Sequence, residues 1–324
     1  MNVKLSVVIC TFNRDKNLKR CLASLAGQTF DNFEVIIVDG GSTDKTNQVI
    51  KNQSKTLKIK KITYLGTELA KVRDQGWRKA KGELVSWIDD DVVVSKNWAK
   101  QVITAFQAEN NIGGVTGPTI IPKKILANRD VFSFYHKKGF WKLIGKFWEI
   151  WFLEGSKYQV GKLKKSGAWT PGSNFINSTK LKGLIEVDYL EACNMTLKKD
   201  LINRVGGFDY GYKKVAEWCE LDLAIRIKNL GYRLVFNPKA VVHHHISQGG
   251  VYLRRTYAEQ RMENFFKFYF AHIFRPKANY VLKFASYLIF LNFYWGYKAL
   301  STKNINWLGG WIGTFTGLKY VFKK

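Results

Sequence analysis

The sequence predicts an α/β fold built on an open, largely parallel sheet, and three observations carry that expectation. Apolar runs bounded by turn signals recur at LSVVICT, FEVIIVDGGS, KITYL and ELVSWIDDD. Segments with helical spacing lie between them, and polar residues gather where the runs end. A chain of 324 residues with 46% hydrophobic content can bury a sizeable core, in one large domain or two.

The first run is followed by Thr11, Asn13 and Arg14. Leu18, Cys21, Leu22 and Leu25 then recur at intervals of three and four, a stripe suited to covering one face of a sheet. The second run ends at Asp39. Gly40 and Gly41 make a tight turn after it, and Ser42, Thr43 and Asp44 are N-cap candidates for a helix over STDKTNQVIK. The fourth run ends in three consecutive acids, Asp89, Asp90 and Asp91. Ligands of open α/β sheets bind outside the carboxyl ends of the strands, so the polar residues after runs one, two and four are expected to converge on one crevice.

The acidic triplet is flanked by VSWI and VVV, which predict burial, and buried unpaired charge is costly. A cation would resolve that cost. Mg²⁺ and Mn²⁺ are usually held through one or two carboxylates together with substrate phosphates. Extended backbone sends Asp89 and Asp91 to one side and Asp90 to the other, so one acid could take a ribose or the metal's water shell and another the metal itself. Neither GxxxxGK[ST] nor GxGxxG is present, which disfavours a P-loop nucleotidase and an NAD-binding domain.

A net charge of +27 implies an anionic partner: nucleic acid, a phospholipid surface or a phosphorylated substrate. Recognisable nucleic-acid-binding signatures are lacking and nucleic acid would leave the aspartates unexplained, so no nucleic-acid partner is expected. Cys10, Cys21, Cys193 and Cys219 have neither CxxC nor zinc-ligand spacing and read as buried, reduced thiols of a cytosolic protein. The N-terminal residues show no export signal.

VVICTFNRDKNLKRCLASLAGQTFDNFEVIIVDGGSTDKT followed by VRDQGWRKAKGELVSWIDDD resembles the nucleotide-sugar half of family 2 glycosyltransferases, which have the GT-A fold, a Rossmann-like mixed sheet flanked by helices. EACNMTLKKDLINRVGGFD and EWCELDLAIRIKNLGYRLVFNPKAVVHHH resemble the acceptor half. The resemblance implies a nucleotide-sugar-binding half over 1–118, an acceptor-binding half over 119–245, and a tail over 246–324. It implies that a sugar moves, with inversion, from a nucleotide-diphosphate sugar to a lipid-linked or glycan acceptor. In the same terms Thr11, Asn13 and Arg14 line the nucleotide, Asp39 reads the base, Arg73 approaches the diphosphate, and Asp89 and Asp91 match the DxD pair at ribose and metal, with Asp90 between them at the donor. Asp74 stands where the family often has asparagine, Cys10 where proline is common, and Ala192 where glycine is common beside the sugar.

Leu223, Ile227 and Leu230, with Gly231 as a stop, mark ELDLAIRIKNLG as an amphipathic helix whose N-terminus carries Glu217, Glu220 and Asp222. Inverting transfer needs a carboxylate to accept the acceptor's hydroxyl proton. The family's acidic pair reads here as Cys219 and Glu220, which makes Glu220 the base, with Glu217 the alternative. His243, His244 and His245 end a strand-like segment and cannot all face one ligand. His244 aligns best with a family histidine at the metal, Mg²⁺ or Mn²⁺.

Residues 120–190 have weaker landmarks: an aromatic and lysine-rich stretch that reads mainly as core, a loop or hairpin over VGKLKKSGAWTPGSNF, and Trp169 as a candidate acceptor contact. From Ile246 onward 12 Lys or Arg face 2 acids, yet apolar residues dominate. The longest uncharged runs there, 14 and 15 residues, are shorter than the ~18 of a membrane span. Amphipathic helices at the cytoplasmic face of the membrane, on anionic lipid, are the expectation; a helix packed on the catalytic domain and an oligomer interface are the alternatives.

Overall fold

The structure, a computed structural model, describes residues 3–66, 68–127, 139–214, 216–247 and 257–322. Its centre is one mixed sheet. Strands β1 (Leu5–Thr11), β2 (Phe33–Asp39), β3 (Ile59–Thr63) and β4 (Leu84–Asp89) are the four apolar runs, and they pair in parallel in the order β3-β2-β1-β4. Register sets Thr11 opposite Asp39 and Cys10 opposite Asp89, so the polar residues of three strand ends lie level with one another.

The sheet continues through β6 (Ile112–Thr116), β8 (Ile185–Glu186), β9 (Met195–Lys198) and β10 (Arg233–Phe236). Strand β9 inserts antiparallel between β4 and β6, and the full order is β3-β2-β1-β4-β9-β6-β10-β8. A small second sheet pairs β5 (Val92–Val94) with β11 (Val242–His244), and β11 with β7 (Thr119–Ile120). It carries the histidine segment back beside the acidic triplet.

Alternate residues of the parallel strands feed two cores, one on each face. Val7, Ile9, Val35 and Ile37 pack with α1 (Asp15–Ala26) and α4 (Trp98–Ala108); all four residues of the α1 stripe are buried. Val8, Ile36 and Val38 pack on the other face with α3 (Leu69–Arg78), α7 (Lys199–Arg204) and α8 (Cys219–Lys228). The approach of α3 to β1 requires Gly76, where a Cβ would stand 2.2 Å from the Val8 side chain. At the start of α2 (Thr46–Gln53), Asp44 accepts from the Thr46 backbone at 3.0 Å and from that of Asp15 at 3.0 Å, tying two helix entries together.

A third core is aromatic. Helix α6 (Phe140–Trp151) meets α9 (Ala258–Phe268), which runs on as a π turn over Tyr269–Ile273, and α10 (Ala278–Ser301). Helix α11 (Gly309–Gly317) lies against α9 through its glycines; a Cβ on Gly313 would stand 2.2 Å from the Glu259 carbonyl. The aromatic stretch that reads mainly as core is split. Gly145 and Trp148 of α6 are buried, whereas Phe140, Trp141, Leu143, Phe147 and Ile150 are exposed. Its beginning, at 128–138, lies outside the described residues. Among the described residues no helix is long and apolar enough to cross a membrane.

One buried carboxylate links the tail to the sheet. Asp222, in the first turn of α8, accepts from Arg226 Nε at 2.8 Å and lies 2.8 Å from His272 Nε2 in the π turn. Arg226 in turn donates to the carbonyls of Val205 and Gly207. Burial opposes the charged form of Asp222, but His272 and Arg226 outweigh it and hold its acidity below the ordinary carboxylate range. A carboxylate with a depressed folded pKa stabilises the fold above its unfolded value, and that contribution is lost as pH falls through the folded value. Asp222→Asn is expected to cost about 3 kcal/mol at neutral pH. In urea titrations the difference from wild type should shrink below about pH 4; a difference independent of pH would show that the charge contributes nothing.

Candidate active site

Thr11, Arg14, Arg73, Asp89, Asp90, Asp91, Glu220 and His244 line a single cleft of about 260 Å³ at the carboxyl ends of β1 and β4. Two of the sequence candidates stand beside it. Asn13, with a left-handed φ of 51°, accepts from the Thr43 backbone at 2.7 Å and shapes the loop after β2. Asp39 accepts from the Ser42 backbone and hydroxyl at 3.0 and 2.6 Å and pairs with Lys61 at 2.9 Å. Burial works against its charge, but Ser42 and Lys61 lower its pKa.

The acidic triplet is not divided as strand alternation would divide it: β4 ends at Asp89, Asp90 and Asp91 lie in the turn before β5, and all three line the cleft, with Arg14 reaching both Asp90 and Asp91. Asp90, 2% exposed, accepts from the Thr11 hydroxyl at 2.7 Å and pairs with Arg14 at 2.9 Å. Burial pushes its carboxyl up to about 7 against the opposing pull of Arg14 and Thr11. Asp91 divides its two oxygens. Oδ2 takes Arg14 at 2.6 Å and the Ser247 backbone at 3.0 Å, while Oδ1 lies 3.0 Å from His244 Nε2. Burial again opposes charge, but His244 and Arg14 hold the Asp91 carboxyl far below the ordinary range. Burial alone would depress His244; Cys193 and Asp91 raise it well above the usual imidazole value.

Asp89 Oδ2 is 3.9 Å from His244 Nε2, and Asp89, Cys193 and His244 place their ligand atoms within 4.8 Å of one another. The carboxylates of Asp89 and Asp91 with the His244 imidazole form a donor set that a divalent cation can use, whereas the Cys193 thiol is a soft donor that Mg²⁺ and Mn²⁺ do not favour. Cys193 is a residue that sequence spacing passes over as an inert thiol. It reaches the site because a short 3₁₀ turn, Ala192–Asn194, leads into β9, and β9 lies next to β4. Ser247 also goes unmarked in the sequence; its hydroxyl accepts from Arg14 and from Asn17 Nδ2 and closes the chain over Asp91.

At the other end of the cleft Arg73 of α3 pairs with Glu220 at 3.1 Å, both nearly buried. Trp218, left-handed at φ 82°, precedes α8 and is packed between Trp169, Phe265 and Phe268. Glu217 pairs with Arg261 of α9. The neighbouring Asp74 turns away from the cleft: it accepts from Trp77 Nε1 at 2.6 Å, the Tyr210 hydroxyl at 2.5 Å and the Phe208 backbone at 3.3 Å. A carboxylate where the family often has asparagine therefore fastens α3, which carries Arg73, to the segment that leads into α8, the helix of Glu220.

This arrangement, an open mixed sheet with acidic residues at adjoining strand ends and a further carboxylate entering from a later helix, is that of the GT-A class. Residues 6–154 match the profile of glycosyl transferase family 2. The chain carries a domain of that family. It is 39% identical over 105 residues to the validoxylamine A glucosyltransferase of Streptomyces hygroscopicus subsp. limoneus, which covers 31% of this chain and 23% of the relative. The structure of the mannosyltransferase PcManGT from Pyrobaculum calidifontis, in complex with GDP-Man and Mn²⁺, superposes with a TM-score of 0.55 at 16% identity, covering 100% of this chain and 88% of that one. Staphylococcus aureus TarS 1–349 with UDP gives 0.53 at 18% identity, covering 88% and 70%. These structural likenesses show the fold. The chain spans about a quarter of the length of several curated relatives it matches.

Arg14 is the internal counter-charge of Asp90 and Asp91. Arg14→Ala should destabilise the metal-free protein by about 3 kcal/mol. Adding Asp90→Asn should recover part of it, with a coupling of about 1–2 kcal/mol in a double-mutant cycle; strictly additive losses would show that the pair is energetically idle.

Proposed function

We propose that the protein is a metal-dependent glycosyltransferase that moves a sugar from a nucleotide-diphosphate sugar to the hydroxyl of a lipid-linked or glycan acceptor, with inversion. The observation that carries this reading is the presence of Glu220 in the same cleft as the Asp89–Asp90–Asp91 triplet and His244. A proton acceptor and a diphosphate-binding end within one small space are the two requirements of displacement at an anomeric carbon.

In this reading Glu220 takes the proton of the acceptor hydroxyl as its oxygen bonds to the anomeric carbon, and the bond to the diphosphate breaks on the opposite face of the sugar. Arg73, 3.1 Å from the Glu220 carboxylate, orients it between the reacting groups. Arg14 and Arg73 bring positive charge to the departing diphosphate. Thr11, Asn13 and Asp39 form the nucleoside side, with Asn13 and Asp39 shaping the loop against which a base would lie. Asp91 and His244 would hold Mn²⁺ or Mg²⁺, with Asp89 and Cys193 beside them; such an ion supplies Lewis-acid stabilisation of the leaving phosphate. Two of the similar solved structures hold UDP, or GDP-Man and Mn²⁺, which supports a nucleoside diphosphate donor without choosing its base.

Binding at the cytoplasmic face of a membrane belongs to the same proposal. Helices α6, α10 and α11 expose Leu143, Phe147, Leu282, Ile289, Phe293 and Phe315, and Phe293 is 76% exposed. Apolar side chains on a strongly cationic chain suit an anionic lipid surface.

Three measurements test these statements. A panel of nucleotide-sugars with Mn²⁺ should yield one that raises the melting temperature and releases free nucleoside diphosphate when acceptor is present. Glu220→Gln should lower kcat by about 10²- to 10⁴-fold with donor affinity little changed; full turnover would remove Glu220 as base. Co-sedimentation should be strong with vesicles containing phosphatidylglycerol, weak with phosphatidylcholine alone, and reduced by Phe293→Asp, whereas equal recovery in all three would refute the membrane assignment.

A further inference from the structure

A second cavity, of about 410 Å³, adjoins the cleft and shares Ala192, Glu217, Glu220 and Arg261 with it. Its body is apolar and aromatic: Trp148 of α6, Trp218 before α8, Phe265 of α9, and Tyr287, Phe290 and Trp295 of α10. The tail therefore does more than cover the sheet. Through α9 and α10 it supplies two walls of a chamber whose polar end holds the proposed base.

We infer that this chamber binds the aliphatic chain of a neutral amphiphilic acceptor, with the reacting hydroxyl at Glu220 and a short uncharged headgroup between them. The inference rests on the proposed transferase reading and names its acceptor class. Three features select this occupant. The walls away from the cleft carry no ionised side chain among the described lining residues, and burying an acyl or prenyl chain there releases apolar surface on both partners from water. The polar end holds Glu191, Glu217 and Glu220 against two arginines that are already engaged, Arg261 by Glu217 and Arg73 by Glu220, so the acids outnumber the cations and an anionic phosphate headgroup would meet net negative charge. The helices that help build the chamber, α6 and α10, also carry the exposed apolar residues proposed to face lipid, so the chamber and that surface are two faces of the same helices. A free glycan would find aromatic faces here, but few of the buried polar groups needed to satisfy its hydroxyls.

The test uses the full chain and n-alkyl β-glucosides from methyl to decyl, below their critical micelle concentrations, with tryptophan fluorescence as the binding signal. Affinity is expected to rise by about two- to fourfold per methylene over the longer members, and n-alkyl phosphates of equal length should bind at least tenfold more weakly. Leu291→Trp, which fills the chamber from α10, should abolish the chain-length dependence. Phe290→Ala, which enlarges it, should move the optimum to longer chains; circular dichroism and melting temperature report folding of both. Affinity independent of chain length, equal binding of a chain-free oligosaccharide, or tighter binding of the phosphates would each overturn the inference. Nucleotide-sugar stabilisation of the wild-type protein is measured in parallel. If that is absent while chain-length dependence holds, the donor reading fails and the chamber stands; the reverse result removes the chamber alone.

Discussion

The site depends on keeping three consecutive carboxylates at the end of a buried strand. Water would solvate them cheaply, but β4 lies in the middle of the sheet and its end is walled by β1, β9 and the small sheet that returns β11. Each charge therefore has an assigned partner: Arg14 for Asp90 and one oxygen of Asp91, and His244 for the other oxygen and, more distantly, Asp89. The partners come from the loop after β1 and the end of β11, segments about 230 residues apart. The topology of both sheets is thus tied to one electrostatic requirement, and the level register of β1, β2 and β4 is the backbone's contribution to it.

Much of this was legible in the sequence because the relevant signals are local. Apolar runs with turn residues after them mark β1 to β4, and the spacing of Leu18, Cys21, Leu22 and Leu25 marks α1 together with its buried face. The disposition of the triplet is an exception, because strand alternation presumes extended backbone and a turn at Asp90 and Asp91 lets Arg14 hold both. What stayed hidden depends on long-range insertion. No local pattern places Met195–Lys198 between β4 and β6, and without that placement Cys193 is a thiol far in sequence from Asp89 rather than a neighbour of it. Ser247 was invisible for the same reason. Asn13 and Asp39 were picked out as polar residues at strand ends, and they do stand there, but they are engaged with the loop after β2 and with Lys61.

Apolar content likewise reports that a helix is buried on some side, without saying how many sides. Helix α6 has the hydrophobicity of a core element, yet it buries only a narrow strip around Trp148 and leaves a broad apolar face outward. The decision is made by α10, which packs Tyr287 and Phe290 against Trp148 from one direction only.

The left-handed Trp218 bears on how such a chain could diversify. It is clasped by Phe265 and Phe268 of the tail, and the helix that carries Glu220 starts at the very next residue. Exchange of the C-terminal segment between homologues would therefore not be a neutral graft of one module onto another, because the anchor of the proposed proton acceptor would be exchanged with it. On the proposed reading, innovation on the acceptor side proceeds by point changes along the chamber walls, whereas the strand ends of β1 and β2, which owe nothing to that clasp, are free to drift on their own.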